Sequence, residues 1–258
     1  MTYSSIIFEV KEKKAFIILN RSEALNAINK PLNQDVCHAL DEAERDENVE
    51  VIIITGAGRA FCTGLDLKDI EKEKGLPNLR ISMLDKVLRM PKPTIAAVNG
   101  FAITGGFELA LSCDIILASE KAMFADTHSR VGVLPGGGLS QLLPRLVGIK
   151  KAKELSFTGN YMNAQEALQF GLVNRVVPPA DLIPAARKLA DDIISADQGT
   201  VRKLKSLIDR GEGMTLEDAL ALERHEHKMH LKTKAFEDMG KRRVNILERG
   251  RRQARIRE

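Results

Sequence analysis

The sequence predicts an α/β fold followed by a purely helical C-terminal module. Three observations carry this: short apolar runs alternate with helix-like stretches, glycine-containing turns follow two of those runs, and the pattern becomes helical alone after Pro178-Pro179. The expected division is residues 1–195 for the α/β core and 196–258 for the helical module. At 258 residues, 44% hydrophobic and 29% charged, the chain has the size and composition to bury a substantial core.

The elements follow in order. Ile6 to Val10 and Ala15 to Leu19 read as two strands joined by the charged turn Lys11-Glu12-Lys13-Lys14. Pro31 opens a helix to Glu47, with Leu32, Val36, Ala39, Leu40 and Ala43 at helical spacing. Val51 to Thr55 is a third strand, and further strands are expected at 94–98, 114–118 and 173–177. Helices are expected at 77–89, 105–111, 139–147, 150–156 and 164–170. Beyond Pro179 the helices are 181–195, 198–210, 215–229 and 234–249, with a break at Gly211-Glu212-Gly213.

Composition narrows the function classes. No segment approaches the roughly 20 apolar residues of a membrane span, and Met1 to Ser5 carries neither a basic region with an apolar stretch nor an Arg-rich presequence, so a cytoplasmic protein is expected. Cys37, Cys62 and Cys113 are odd in number and form no CxxC pair, which supports neither disulfides nor a cysteine metal site. Cys62 reads as a small hydrophobe and not as a nucleophile. The net charge of +4 belongs to the tail, where residues 241–258 hold eight basic side chains against two acidic ones. That tail reads as a solvated helix end; attraction of a phosphate-bearing ligand or of nucleic acid is the sharper alternative, although nucleic acid is not the expected partner. Gly56-Ala57-Gly58 lacks the third glycine of a dinucleotide turn, and His225, His227 and His230 are spread around a helix, so neither a nucleotide cofactor nor a metal is expected.

Two stretches concentrate the chemistry: Ala60-Phe61-Cys62-Thr63-Gly64-Leu65-Asp66-Leu67, and Asn99-Gly100 through Gly105-Gly106-Phe107-Glu108-Leu109. Each follows an apolar strand and leads towards a helix, so the two turns can bring free backbone N–H groups to one place. Such a pair suits a carbonyl oxygen that gains negative charge. A helix starting near Gly105 leaves its first N–H groups without intrahelical partners, and places Glu108 one turn on along the same face. Gly105 and Gly106 let the backbone approach a ligand closely. A plain turn followed by a surface glutamate would look similar, but Phe107, Leu109, Ala110 and Leu111 make the segment apolar on most sides. A carboxylate carried into such surroundings is costly without a role.

Taken with Leu19-Asn20-Arg21, Ala24-Leu25-Asn26-Ala27, Cys113-Asp114 and Gly132 through Leu134-Pro135-Gly136-Gly137, these motifs resemble the crotonase (enoyl-CoA hydratase/isomerase) superfamily over about residues 6–180. The resemblance implies a spiral of ββα units, and C-terminal helices that build trimers, often paired into hexamers. It implies a CoA thioester whose carbonyl oxygen sits between the amides of Leu65 and Gly105, with CoA part of the substrate and no separate cofactor. Arg21, Ala24 and Leu25 match the loop that meets the nucleotide and pantetheine. Ala60, Gly64, Asp66 and Leu67, with Gly106, match the wall around the thioester, and Pro135 and Gly136 border the acyl end.

Hydratases of the superfamily use two glutamates. The first aligns with Glu108, but the second position is occupied by His128. The imidazole either donates or relays a proton, or only packs against Glu108 or Asp126; both readings stay open. Asp126 itself is displaced by two residues from the expected face. The expected activity is hydration of 2-enoyl-CoA to 3-hydroxyacyl-CoA. Alternatives are double-bond isomerisation, acyl-CoA hydrolysis, or a weakly active CoA- or RNA-binding protein.

Overall fold

The computed structural model describes residues 3–72, 82–232 and 236–255. In chain order the first elements are β1 (Ile6–Lys11), β2 (Lys14–Leu19), α1 (Lys30–Arg45), β3 (Val51–Gly56), β4 (Ala60–Cys62), α2 (Leu67–Lys72) and α3 (Ser82–Leu88). Next come β5 (Thr94–Val98), β6 (Phe101–Ile103), α4 (Gly105–Leu111), β7 (Ile115–Ser119), β8 (Met123–Ala125), α5 (His128–Val131), α6 (Leu139–Val147) and α7 (Ile149–Thr158). The last are β9 (Met162–Asn163), α8 (Ala164–Gln169), β10 (Arg175–Val177), α9 (Leu182–Ile194), α10 (Gln198–Gly211), α11 (Leu216–Leu231) and α12 (Phe236–Arg255).

The strands form a six-stranded sheet in the order β1-β2-β3-β5-β7-β10 and a four-stranded sheet in the order β4-β6-β8-β9. Three successive units, β3-β4-α2, β5-β6-α4 and β7-β8-α5, each send a long strand to the first sheet, a short strand to the second, and then a helix. The spiral of ββα units implied by the resemblance is thus present. The expected long strands appear within two residues of their positions, whereas none of the short strands of the second sheet is expected from the sequence. Two or three residues are too few to show a period of two, and these segments carry the glycine motifs that read as turns.

Both faces of the first sheet are covered, which is why its central strands are continuously apolar. Ile52 and Ile54 of β3 point into the main core, together with Leu32, Val36 and Leu40 of α1. Val51 and Ile53, on the opposite face, pack with Ile95, Ala97 and Leu117 against Leu182, Ala186 and Ala190 of α9. Helix α1 begins as its Pro31 predicts, with the Asn29 side chain accepting a hydrogen bond from the Leu32 amide at 3.0 Å.

Polar residues from the motifs pin the ends of these strands. Asn99 accepts from the Gly56 amide at 3.1 Å and donates to the carbonyls of Gly58 and Ala60 at 3.0 and 3.2 Å. Asn26, fully buried, donates to the carbonyls of Ala57 and Ala60 at 3.0 and 2.9 Å. Asp114 accepts from the amide and hydroxyl of Thr94 at 2.7 and 3.0 Å. Buried carbonyls and amides that leave a sheet need such partners.

The chain divides into two compact units, Met1–Arg202 and Lys203–Glu258. Within the second, Thr215 caps α11 by accepting from the Asp218 amide, and Arg210 pairs with Glu226 at 3.1 Å. The helix expected over 77–89 is seen from Ser82 onward; 77–81 lie outside the described residues, as do 234–235 of the helix expected over 234–249. No described helix is long and apolar enough to cross a membrane.

Candidate active site

Helix α4 starts at Gly105, and every one of its residues is buried because the ββα spiral encloses it. Thr104, immediately before it, has φ 53° and ψ −112°, a conformation that costs a non-glycine residue about 1–3 kcal/mol. Its hydroxyl shares a 2.5 Å hydrogen bond with the Thr127 hydroxyl, and its amide donates to the Ala125 carbonyl at 2.9 Å. The start of α4 is therefore tied to the end of β8.

The turn after β4 meets the same point. Gly64 has φ 86°, and a Cβ added to it would lie 3.1 Å from the Gly105 nitrogen; one added to Gly105 would lie 3.3 Å from the Gly64 Cα. Ile28 donates to the Gly64 carbonyl at 2.7 Å and accepts from the Asp66 amide at 2.9 Å. In such a parallel bridge the residue between, Leu65, directs its own N–H to the opposite side. The Leu65 and Gly105 amides thus lie on two touching turns, and the Gly105 N–H is an orphan of its helix N-terminus. Gly106 serves packing, since a Cβ there would lie 1.9 Å from the Cys62 carbonyl oxygen.

Glu108 is 1% exposed. Its Oε1 accepts from the Gly137 amide at 2.7 Å and the Leu139 amide at 3.4 Å, which leaves Oε2 as the unanchored oxygen. That atom lies 3.9 Å from Nε2 of His128, in the one-turn helix α5. On the other edge of the ring, Nδ1 is 2.7 Å from Oδ1 of Asp126, which also accepts from the His128 amide at 3.2 Å. Gly132, with φ 81°, closes α5 by donating to the His128 carbonyl at 2.9 Å. One imidazole thus stands between two buried carboxyl groups.

Those two groups are tuned in opposite directions. Burial pushes the Glu108 carboxyl up, only partly offset by the Gly137 amide, His128 and the Leu139 amide. Burial would also raise Asp126, but hydrogen bonds from the His128 ring, the Ser156 side chain and the His128 amide outweigh it and hold Asp126 below the usual carboxylate range. Cys62 is fully buried, and burial pushes its thiol up to about 12, which suits a packing role.

The remaining expected residues fall in three places. Arg21 donates to the Ala27 carbonyl and to Oδ2 of Asp66 at 3.0 Å, so its charge is matched within the loop it was expected to extend from. Ala24 and Leu25 lie in the adjoining turn, where Leu25 and Asn26 have φ 52° and 56°. Ala60 is buried in β4, Leu67 is exposed at the start of α2, and Pro135 and Gly136 lie in the loop before α6, with open space beside Gly136.

Sequence reasoning missed Gly137, which anchors Glu108. A Cβ there would lie 2.2 Å from Leu84 and 2.9 Å from the Glu108 carboxyl. The run Gly136-Gly137-Gly138 was the available signal. Asp126, read from the sequence as displaced by two residues from the expected face, does not take the place of the second carboxylate: β8 ends at Ala125 and the turn sets Asp126 against the far edge of the ring.

Comparison with known proteins follows the same lines. The family model for enoyl-CoA hydratase/isomerase matches residues 9–253. The chain is 42% identical over 230 residues to a probable peroxisomal enoyl-CoA hydratase 1 of Arabidopsis thaliana, covering 86% of each. It is 39% identical over 229 residues to a short-chain-enoyl-CoA hydratase of Clostridium acetobutylicum, covering 86% of this chain and 88% of that one. The crystal structure of an enoyl-CoA hydratase subunit from Geobacillus kaustophilus superposes with a TM-score of 0.87 at 35% identity, covering 96% of each. The enoyl-CoA hydratase structure from Mycobacterium tuberculosis gives 0.75 at 41% identity, over 90% of this chain and all of that one. Sequence motifs, the spiral of ββα units and these matches together make this chain a member of the enoyl-CoA hydratase/isomerase (crotonase) family.

Proposed function

We propose that this protein is an enoyl-CoA hydratase, adding water across the double bond of a 2-enoyl-CoA thioester to give 3-hydroxyacyl-CoA. The observation that carries the reading is Glu108: a buried carboxyl with one oxygen fixed by two amides and the other open, on the first turn of the helix whose N-terminal amide is Gly105. The Leu65 and Gly105 amides hold the thioester oxygen as it gains enolate charge, Glu108 takes a proton from water, and His128 assists. Arg21 and Asp66 brace the loop that meets the CoA moiety, and Pro135 and Gly136 border the acyl chain. Residues 203–258 expose Ile208, Leu216 and Val244, which supports assembly with further copies of the chain into a trimer or hexamer. Three free, buried thiols fit a reducing, cytoplasmic setting.

Loss of the absorbance of a 2-enoyl-CoA in the presence of the enzyme, with chromatographic identification of the 3-hydroxyacyl product, is the direct test. Glu108→Ala is expected to lower the rate by about 10²–10⁴-fold. Equal turnover by this variant, or release of free CoA in place of the hydrated thioester, would remove the reading. Light scattering on the eluted protein checks the assembly, where a monomer would overturn it.

A further inference from the structure

We infer that Asp126 is a positioning residue for hydration, and that Asp126, His128 and Glu108 act as one proton-transfer chain that replaces the usual pair of glutamates. The inference rests on the function proposed above and specifies how its site moves protons.

The geometry fixes the orientation of the ring. A carboxylate only accepts hydrogen bonds, so the 2.7 Å contact between Asp126 and Nδ1 places a hydrogen on Nδ1 and turns Nε2 towards Glu108. The amide of His128 binds the same Asp126 oxygen. The carboxylate is therefore held by both the ring and the amide of the residue it orients. Glu108 is fixed equally firmly through Oε1, so the one variable contact is the 3.9 Å gap between Oε2 and Nε2. That gap is too long for a direct hydrogen bond and has the length that a single bridging water spans.

A water so placed adds with the atoms in balance. Glu108, as carboxylate, takes one of its protons while the oxygen bonds to the β-carbon of the enoyl group. The electron pair of the double bond moves through the enolate to the α-carbon, which takes the proton on Nε2 of the imidazolium. The product is the 3-hydroxyacyl thioester, with Glu108 protonated and His128 neutral. The next water to enter the gap passes the proton from Oε2 back to Nε2 and restores the starting state. Asp126 stays ionised throughout and offsets the charge on the ring whenever Nε2 is protonated, as a carboxylate does behind a catalytic imidazole. The burial that favours the neutral Glu108 acid makes this temporary storage of a proton easier.

The test is a double-substitution cycle on the full-length protein with a 2-enoyl-CoA as substrate. D126N is expected to lower kcat by about 10²-fold or more with KM changed less than about threefold, because Asp126 acts through the ring and not on the thioester. In an H128Q background the same D126N change is expected to add less than about twofold. Nitrogen-15 shifts of His128 in the wild type check the orientation without any substitution, with Nδ1 expected to keep its proton throughout the titration. Unchanged kcat in D126N, an equal loss in both backgrounds, or a neutral ring protonated on Nε2 alone would each overturn the inference while the proposed function stands. A wild type that does not hydrate the substrate overturns both.

Discussion

The hydroxyls of Thr104 and Thr127 are bonded at 2.5 Å, joining the residue before Gly105 to the residue before His128. This side-chain contact adds to the Thr104 amide's hydrogen bond to the Ala125 carbonyl in setting the two sides of the candidate site, the helix-end amide and the imidazole, relative to each other. Thr104 holds a backbone conformation that disfavours any side chain, so the contact also keeps α4 starting where it does.

Breaking that contact from the Thr127 side leaves Thr104 strained and its hydroxyl unpartnered. Thr127→Ala is expected to destabilise the fold by about 1–2 kcal/mol, measured by urea unfolding. Thr104→Gly is expected to cost less, because the backbone strain disappears together with the hydrogen bond. A larger loss in Thr104→Gly than in Thr127→Ala contradicts this account.

Stability should respond to pH in opposite senses at the two carboxyls. The folded state raises Glu108, so it binds more protons there than the unfolded chain. The stability this group contributes is complete below its unfolded value and is lost as pH rises through the raised folded value. Asp126 is lowered, so its contribution is complete above its unfolded value and is lost as pH falls through the depressed folded value. Urea unfolding at pH 5 and 7 should show E108Q gaining on the wild type as pH rises. Unfolding at pH 5 and about 3 should show the wild type's advantage over D126N shrinking as pH falls.

Gly137 leaves no room for a side chain. Gly137→Ala is expected to destabilise by about 1–3 kcal/mol and to lower turnover, since the added methyl displaces either Leu84 or the Glu108 carboxyl. Gly136→Ala, next to it in open space, is expected to leave the melting temperature nearly unchanged. Similar melting shifts for the two variants would show that the contact with Glu108 is not what constrains the position.

Arg21 and Asp66 are both largely shielded and depend on each other. Asp66→Asn is expected to cost about 1–3 kcal/mol and to weaken binding of a saturated acyl-CoA, because the guanidinium loses its partner and the loop its brace. Calorimetric titration and thermal melting read the two effects. Unaltered affinity together with an unaltered melting temperature would separate this pair from the site.

Much of this protein is legible residue by residue. Val51 to Ile54 and Ile95 to Val98 are apolar throughout because helices cover both faces of their sheet, and Asn99, Asn26 and Asp114 mark strand ends because buried backbone groups there require partners. The motif glycines are equally readable, since Gly64 needs a positive φ and Gly106 lies against the Cys62 backbone. The short strands β4, β6 and β8 are not legible, because three residues have no period and their pairing depends on chains folded around them. Nor is the anchoring of Glu108 by an amide 29 residues away.

What the residues alone determined was the alternation of long strands and helices and the start of α4 at its glycine pair, with Glu108 on its first turn. Those outcomes rest on local forces: apolar periodicity, backbone freedom at glycine and the orphan amides of a helix end. His128 was singled out by the family resemblance. Folding in three dimensions decided that Asp126 lies behind the imidazole, that the open oxygen of Glu108 faces its front, and that the turns of Gly64 and Gly105 touch. Each of these joins segments distant in sequence or turned by an irregular loop, and only the closed spiral brings them together.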